Sequence, residues 1–237
     1  MPDESKKILN KSPEKISSMF DEIAPKYDFL NHFFTLNIDK IWRSRIRENL
    51  ELFDFKKLII LDLAAGTGDL TKELMKLNPD MIYACDISDN MLEILSKKIK
   101  SSKVRTVNSS AEELPFTDKA FDVVTVGFGV RNFYNLETSL KEIYRVLDNG
   151  GLLVVLDFFK SNTFKAKIFN LYSGKIIPAV GNFLSNSKSK AYSYLNESIE
   201  NFLTVEEFIS ITKKLGFHHI KTENNLFEVV NTIYLKK

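Results

Sequence analysis

The chain has 237 residues, which is enough for one large α/β domain with a substantial core. Hydrophobic residues make up 44% and charged residues 27% of it, so disordered, collagen-like and coiled-coil classes are excluded. Lys and Arg number 33 against 31 Asp and Glu, and the resulting net charge of +2 does not indicate nucleic acid as a partner.

Cysteine usage and apolar runs indicate the compartment. The single cysteine, Cys85, excludes an internal disulfide, and three histidines without cysteine partners do not form a zinc pattern, so we predict no metal site. The first residues lack the apolar core of a signal peptide, and the longest apolar runs, 58–63 and 150–156, are too short to span a bilayer. The sequence therefore predicts a cytoplasmic protein whose contact with a membrane is peripheral.

The N-terminal region, residues 1–50, is predicted to form a helical arm. Ser12 and Pro13 are typical of a helix start, and apolar residues then recur at helical spacing. Ala24-Pro25 predicts a break, after which the helix resumes over 27–31. We expect this arm to lie over the mouth of the substrate site.

From residue 58 onward, short apolar runs alternate with helical periodicity, which is typical of βαβ units around a parallel sheet. Strands are predicted at 58–63, 81–85, 104–108, 121–126 and 152–158, with a terminal hairpin at 217–223 and 227–235. The predicted fold class is α/β: one domain over 1–237 with a doubly wound, mostly parallel seven-stranded sheet and a C-terminal antiparallel hairpin.

Two helices in this region have well-defined ends. Asn135 is a predicted N-cap, and the helix that it begins is expected to stop at 149–151. Thr204 and Glu207 form a predicted capping box for a helix that ends at 215–216.

Residues 158–196 interrupt the alternation, with six lysines and no Asp or Glu. The lysines alternate with aromatic and aliphatic residues, a mixture that suits the headgroup region of a membrane. We therefore predict a helical lid, inserted at 158–196, that faces the membrane. The alternative is an ordinary solvated helical pair that caps the sheet.

A glycine turn, Asp62-Leu-Ala-Ala-Gly-Thr-Gly-Asp69, follows the first predicted strand. Doubly wound sheets bind their ligands at this position, and glycines let the backbone approach the ligand closely. Asp86 ends the second strand 18 residues beyond Gly68, close to the spacing of an acid that binds a ribose hydroxyl. The pattern predicts a ribose-bearing cofactor.

Three interpretations of this turn compete. A dinucleotide site requires G-x-G-x-x-G, but Thr71 stands at the third glycine position. Asp62 lies inside the strand, where it can orient a cationic amino-acid ligand rather than a pyrophosphate. The third interpretation is a tight strand-to-helix turn in which glycine serves only the backbone.

The turn resembles the Asp/Glu-x-Gly-x-Gly-x-Gly motif of S-adenosylmethionine-dependent methyltransferases, with Ala64 in place of the first glycine. The resemblance implies S-adenosylmethionine as the cofactor. The residues expected at its site are Asp62, Gly66, Thr67, Gly68, Asp86, Ser110, Ala111 and Gly127. A solvated acid at a helix entry is the alternative for Asp86.

Longer strings narrow the family. They are Phe20–Asn31 with Ile41-Trp42-Arg43, Gly127–Asn132 with Arg145–Gly151, and Ala191–Ser198. They closely resemble the ubiquinone/menaquinone biosynthesis C-methyltransferases. The resemblance implies methylation of a ring carbon of a polyprenylated quinol, and the sequence does not choose between a benzoquinol and a naphthoquinol. Departures include Asp39 in place of a histidine and Ser110 in place of an Asp or Asn.

Three residues are expected to carry the chemistry in such a family member. An aromatic carbon is a good nucleophile only beside an ionised hydroxyl, so the substrate must enter as the quinol. Arg131 is expected to stabilise the oxyanion without losing its own proton, and Asn132 to hold a hydroxyl. Tyr27 is expected to complete the site or to position a water. The alternatives are a surface helix start for Arg131 and Asn132, and a packed aromatic for Tyr27.

Two other functions stay open. One is a regulator or partner subunit that keeps the cofactor without catalysis. The other is a methyltransferase for a soluble phenol, amine or sterol, which would have a closed pocket rather than an apolar channel under the lid. A homodimer is also left open.

Overall fold

The computed structural model describes residues 11–35, 37–161, 163 and 191–237, which are organised around one seven-stranded sheet. Its strands are β1 Ile59–Leu63, β2 Met81–Asp86, β3 Val104–Asn108, β4 Phe121–Gly127, β5 Leu147–Phe158, β6 His218–Asn224 and β7 Val230–Lys236. Their order across the sheet is β3-β2-β1-β4-β5-β7-β6.

Strand directions confirm the predicted fold class. The strands β1 to β5 pair in parallel, and β7 is inserted antiparallel between β5 and β6 to form the C-terminal hairpin. The strand order reverses between β1 and β4, and in open α/β sheets a ligand binds in the crevice at the carboxyl ends of such strands.

Seven helices flank the sheet in the described part of the chain. They are α1 Pro13–Phe34, α2 Ile38–Leu50, α3 Asp69–Leu74, α4 Asp89–Lys98, α5 Leu136–Val146, α6 Ala191–Glu200 and α7 Val205–Lys214. The predicted N-cap Asn135 accepts a hydrogen bond from the Thr138 amide, and the capping box of Thr204 and Glu207 is confirmed.

The core lies on both faces of the sheet because successive residues of the inner strands point to opposite sides. On one face, Leu61 packs in a cluster with Leu140 of α5 and Phe208 of α7. On the other, Ile60 packs in a cluster with Trp42 of α2. The central strands are therefore mostly apolar, with the buried Asp62 and Thr125 as polar exceptions.

The predicted break in the N-terminal arm is wrong, since α1 runs through Pro25 without interruption. Proline removes the N–H that would have bonded the carbonyl of Asp21. That carbonyl accepts instead from Asn90 Nδ2 at 3.4 Å, and Ile23 and Ala24 are buried in a cluster with Met91 of α4. A tertiary hydrogen bond and apolar packing thus replace the missing helical bond.

Two predicted boundaries also move. The helix α5 ends at Val146 rather than at 149–151, because Leu147 already pairs with Phe121 of β4. The last strand begins at Val230 rather than at Phe227, which lies in a short 3₁₀ turn with φ +50°.

Most of the predicted lid, residues 164–190 with 162, lies outside the described residues. On either side of it, Phe158 and Phe159 are buried at the end of β5, and α6 begins at Ala191. Among the described residues no helix has the length and apolar character needed to cross a bilayer.

Candidate active site

A pocket of about 700 Å³, a volume that includes open solvent, lies where β1, β2 and β4 end. Its floor includes Gly66 of the glycine turn and Asp86 at the end of β2. The N-terminal segment and α1 cover it with Ile16, Phe20 and Tyr27. A smaller, more polar pocket continues from it through shared wall residues, so the two form one site with an apolar and a polar end.

The glycine turn holds its shape through Asp86. The Gly66 amide donates to Asp86 Oδ2 at 2.8 Å, and the Ser88 amide donates to Asp86 Oδ1 at 2.9 Å. Gly68 has φ +85°, and a Cβ there would lie 2.6 Å from Leu95 Cγ. Glycine at this position therefore serves close packing as well as backbone freedom.

Ala64, which replaces the first glycine of the motif, adopts a backbone conformation that favours glycine. Its φ is +55°, in the left-handed region that a residue with a Cβ occupies at a penalty. A Cβ on Gly129 would lie 2.4 Å from the Ala64 Cβ, so the neighbouring glycine supplies the room that alanine takes up. Sequence reasoning did not single out Gly129 as part of the site.

The predicted cofactor residues divide into four groups by position. Asp86, Ser110 and Ala111 line the large cavity, and Gly66 and Gly127 line both pockets. Asp62 and Thr67 line only the polar pocket. Gly68 lines neither pocket and packs on Leu95 instead.

The carboxyl groups of Asp62 and Asp86 are buried, and burial is the main reason that their pKa values are raised. The pKa of Asp62 is raised to about 6, although Thr71 and Thr125 donate hydrogen bonds to it at 2.6 and 2.8 Å. The pKa of Asp86 is raised as well, against the effect of the backbone N–H groups that bind it.

We expect Asp62→Asn to change how the stability of the unliganded protein depends on pH. The native pKa of Asp62 lies above its unfolded value, so its contribution to stability is present at low pH and is lost as the pH rises from about 4 to about 6. Relative to wild type, the variant should gain about 2–3 kcal/mol in free energy of unfolding across that window.

Urea unfolding of both proteins at pH 4 and pH 7 measures this effect. Other titrating groups cancel when the variant is compared with wild type at each pH. A stability difference that does not change with pH would contradict the assignment to Asp62.

A network of charged side chains ties α1 and α2 to the polar end of the site. The His32 Nδ1 and Asp39 Oδ2 atoms are 2.8 Å apart, and His32 Nε2 lies 3.4 Å from Asp69 Oδ2. Arg43 pairs with Asp39, and Lys98 pairs with Asp69. These contacts give Asp39, which departs from the family's pattern, a defined place, since it is almost fully buried beside Arg43.

The same network closes over the glycine turn. Lys98 of α4 donates to Asp28 Oδ2 at 2.7 Å, and the hydroxyl of Thr67 donates to the other oxygen of Asp28. His32, Asp39 and Asp69 are spaced as cation ligands could be, but Arg43 and Lys98 already neutralise the two carboxylates. The network therefore joins the arm to the cofactor turn.

The three residues expected to carry the chemistry occupy different positions. Tyr27 and Asn132 line the large cavity, and the Tyr194 hydroxyl donates to Asn132 Oδ1 at 3.2 Å. Arg131 does not line the cavity. Its Nη1 donates to Asp157 Oδ1 and to the Phe128 carbonyl, both at 2.6 Å, and its side chain is buried. Its role as oxyanion stabiliser stays a prediction.

Several residues of the site were missed by sequence reasoning. Arg43 and Asp69 line the polar pocket, and Lys11, Met91 and Glu112 line the large cavity. Arg43 stands in one of the strings quoted for the family, which was a usable signal. Lys11 carried no signal, because nothing near it in the chain indicates a site.

The sheet order, the glycine turn and the cavity beside it define an α/β methyltransferase fold, and solved structures share it. An S-adenosylmethionine-dependent methyltransferase from Thermotoga maritima has a TM-score of 0.64 at 18% identity, covering 93% of this chain and 99% of that one. The [4+2]-cyclase SpnF has a TM-score of 0.71 at 14% identity, covering 95% and 96%. These likenesses establish the fold alone.

The chain belongs to the ubiE/COQ5 methyltransferase family, whose model matches residues 8–235. A demethylmenaquinone methyltransferase from Bacteroides fragilis is 37% identical, with 94% of this chain and 92% of the relative covered. One from Chlorobaculum tepidum is 39% identical, with 89% and 87% covered. A ubiquinone/menaquinone biosynthesis C-methyltransferase from Campylobacter jejuni is 35% identical, with 94% and 98% covered. The protein is therefore a methyltransferase, as predicted.

Proposed function

We propose that the protein transfers a methyl group from S-adenosylmethionine to a ring carbon of a polyprenylated quinol in quinone biosynthesis. The observation that carries this proposal is the two-ended cavity beside the glycine turn. One end is lined by the carboxyl groups of Asp62 and Asp69, and the other is walled mostly by apolar and aromatic side chains. The relatives named for demethylmenaquinone methylation support the same substrate class.

The residues present fit S-adenosylmethionine. Asp86 is buried at the cavity wall, and its carboxylate retains lone pairs for ribose hydroxyls beyond those bound by Gly66 and Ser88. Ser110 and Ala111 continue that wall and are proposed to hold the adenine. At the polar end, Asp62 is proposed to orient the cationic amino-acid part. Once bound, this cofactor supplies an electrophilic methyl group on sulfur.

The large cavity also contains the proposed ribose and adenine wall, and its apolar part suits a quinol ring with a prenyl tail. Ile16, Phe20 and Phe133 line it and exclude water from the ring. Asn132 is proposed to hold a ring hydroxyl, and Tyr27 to complete the ring site from the arm. Both side chains are cavity residues, so each can reach a bound substrate.

Incubation with labelled S-adenosylmethionine and a panel of acceptors tests the function. The panel contains demethylated benzoquinol and naphthoquinol, reduced beforehand, with the same compounds oxidised and a soluble catechol, an amine and a sterol as controls. We expect label in a reduced quinol and none in its oxidised form, because only the quinol ring is electron-rich. Transfer of label to a control acceptor, with none to either quinol, would favour the alternative function, methylation of a soluble phenol, amine or sterol.

Membrane contact of the 158–196 lid is part of the proposal. The polyprenyl tail keeps the substrate in a bilayer, and the six lysines of this segment each contribute about 1 kcal/mol near anionic lipid. We expect the protein to co-sediment with anionic liposomes at low salt and much less at high salt. Neutral liposomes serve as the control, and absence of binding under all conditions would refute the membrane-facing lid.

A further inference from the structure

We propose that Lys11 supplies the positive charge that stabilises the ionised hydroxyl of the substrate. The inference rests on the proposed function and assigns to Lys11 the role that the sequence suggested for Arg131. It follows from where the two cations lie relative to the cavity and to the buried carboxylate of Asp157.

Lys11 lines the large cavity, as Asn132 does. Its Nζ donates to the Arg131 carbonyl at 2.6 Å, one residue before the side chain proposed to hold a hydroxyl. An ammonium has three N–H donors, so this bond leaves others for a ligand. The Lys11 Nζ also lies 5.9 Å from the centre of the Phe202 ring, which positions the charge over an aromatic face.

The Arg131 side chain binds groups outside the cavity. Its Nη1 pairs with Asp157 Oδ1, its amide donates to Asp157 Oδ2 at 3.2 Å, and its Nε donates to Ser198 Oγ at 3.2 Å. By contrast, Lys11 makes no ion pair within the described residues. The acids that line the cavity, Asp86 and Glu112, are bound by backbone N–H groups rather than by Lys11.

An anionic ligand would stabilise the positive charge of the half-buried Lys11 ammonium. Burial and the nearby Arg131 charge lower the pKa of Lys11, while Asp157 opposes this effect. A cation that has lost hydration is stabilised when an anionic oxygen enters an apolar cavity, where electrostatic attraction is weakly screened. The same attraction favours the ionised form of a bound hydroxyl over its neutral form.

This ionisation is what the chemistry requires. The hydroxyl would give up its proton to water. The electron-rich ring carbon would then bond the methyl group that the cofactor supplies, and the electron pair of the methyl–sulfur bond would stay on the sulfur, leaving a neutral thioether. The ring hydrogen then leaves as a proton, which restores the aromatic ring. Lys11 is neither consumed nor deprotonated in this sequence, since its contribution is electrostatic.

The test compares Lys11→Met and Lys11→Arg with Lys15→Met, which removes an exposed lysine from the first turn of α1. We expect Lys11→Met to lower kcat about 100-fold at pH 7, with the deficit shrinking at higher pH where the hydroxyl ionises unaided. Lys11→Arg should keep most of the activity, because it keeps the charge. We expect Lys11→Met to lower the affinity for S-adenosylmethionine much less than it lowers kcat, and a loss of affinity as large as the loss of kcat would overturn the role of Lys11.

A redox-stable hydroxynaphthalene provides a readout that does not depend on turnover. Titrated optically in complex with wild type, it should ionise about 1–2 pH units below its value in water, and this shift should disappear in Lys11→Met. Equal ionisation of the probe in both proteins, or parallel pH profiles of kcat, would overturn the role of Lys11. A wild type that methylates no quinol but still shifts the probe would refute the proposed function alone.

Discussion

Replacing Arg131 by methionine is expected to lower the free energy of unfolding by about 3–5 kcal/mol. The substitution leaves the Asp157 carboxylate fully buried without the guanidinium that faces it at 2.6 Å. It also removes the donor to the Phe128 carbonyl. Urea unfolding of wild type and variant measures the loss, and an unchanged free energy of unfolding would contradict this pairing.

A double-mutant cycle separates the ion pair from the other contacts of Arg131. Asp157→Asn removes the buried charge, so the double variant with Arg131→Met should be more stable than Arg131→Met alone.

Arg131→Lys keeps the charge, but a lysine cannot reproduce the contacts to Phe128, Asp157 and Ser198. We expect this variant to bind S-adenosylmethionine normally and to turn over more slowly, because Asn132 follows directly in the chain.

Replacing Asp86 by alanine is expected to weaken S-adenosylmethionine binding by about 2–3 kcal/mol, or roughly 30- to 150-fold in Kd. The variant loses the proposed charge-assisted contact to the ribose. It also loses the acceptor that holds the Gly66 amide at 2.8 Å, so the glycine turn is less well ordered before binding. Calorimetric titration of the cofactor into each protein measures the change.

Two further variants control for this effect. Asp89→Ala removes an exposed acid three residues away, at the start of α4, and should leave the cofactor affinity within about twofold of wild type. Asp86→Asn keeps the size and an acceptor oxygen, and we expect an intermediate loss. Equal affinities of Asp86→Ala and wild type would remove Asp86 from the proposed site.

The ionic network links the N-terminal arm to the cofactor site through direct side-chain contacts. Thr67 belongs to the glycine turn, and its hydroxyl binds Asp28 of α1. Lys98 joins the same carboxylate to Asp69 at the start of α3. Asp28 therefore joins the glycine turn directly to the arm that carries Tyr27.

The fold and the cofactor end of the site could be predicted because their signals are local in the chain. Apolar runs alternating with helical periodicity indicate a parallel sheet, and Asp62 to Gly68 lie on a single turn. The sequence also predicted the caps at Asn135 and Thr204, where the donor and acceptor are three residues apart. In each case, the interacting groups are close in sequence or repeat at a fixed period.

The rest was decided by tertiary contacts. Arg131 has the residue type of an oxyanion stabiliser, but it lies in a short turn after β4, and the Asp157 carboxylate that binds it lies 26 residues away on β5. The helix α1 continues through Pro25 because a side chain of α4 replaces the lost hydrogen bond. Lys11 donates to the Arg131 carbonyl, which lies 120 residues along the chain. Which charges pair and which side chains are buried depends on contacts between residues that lie far apart in the chain. Local sequence patterns do not encode those contacts.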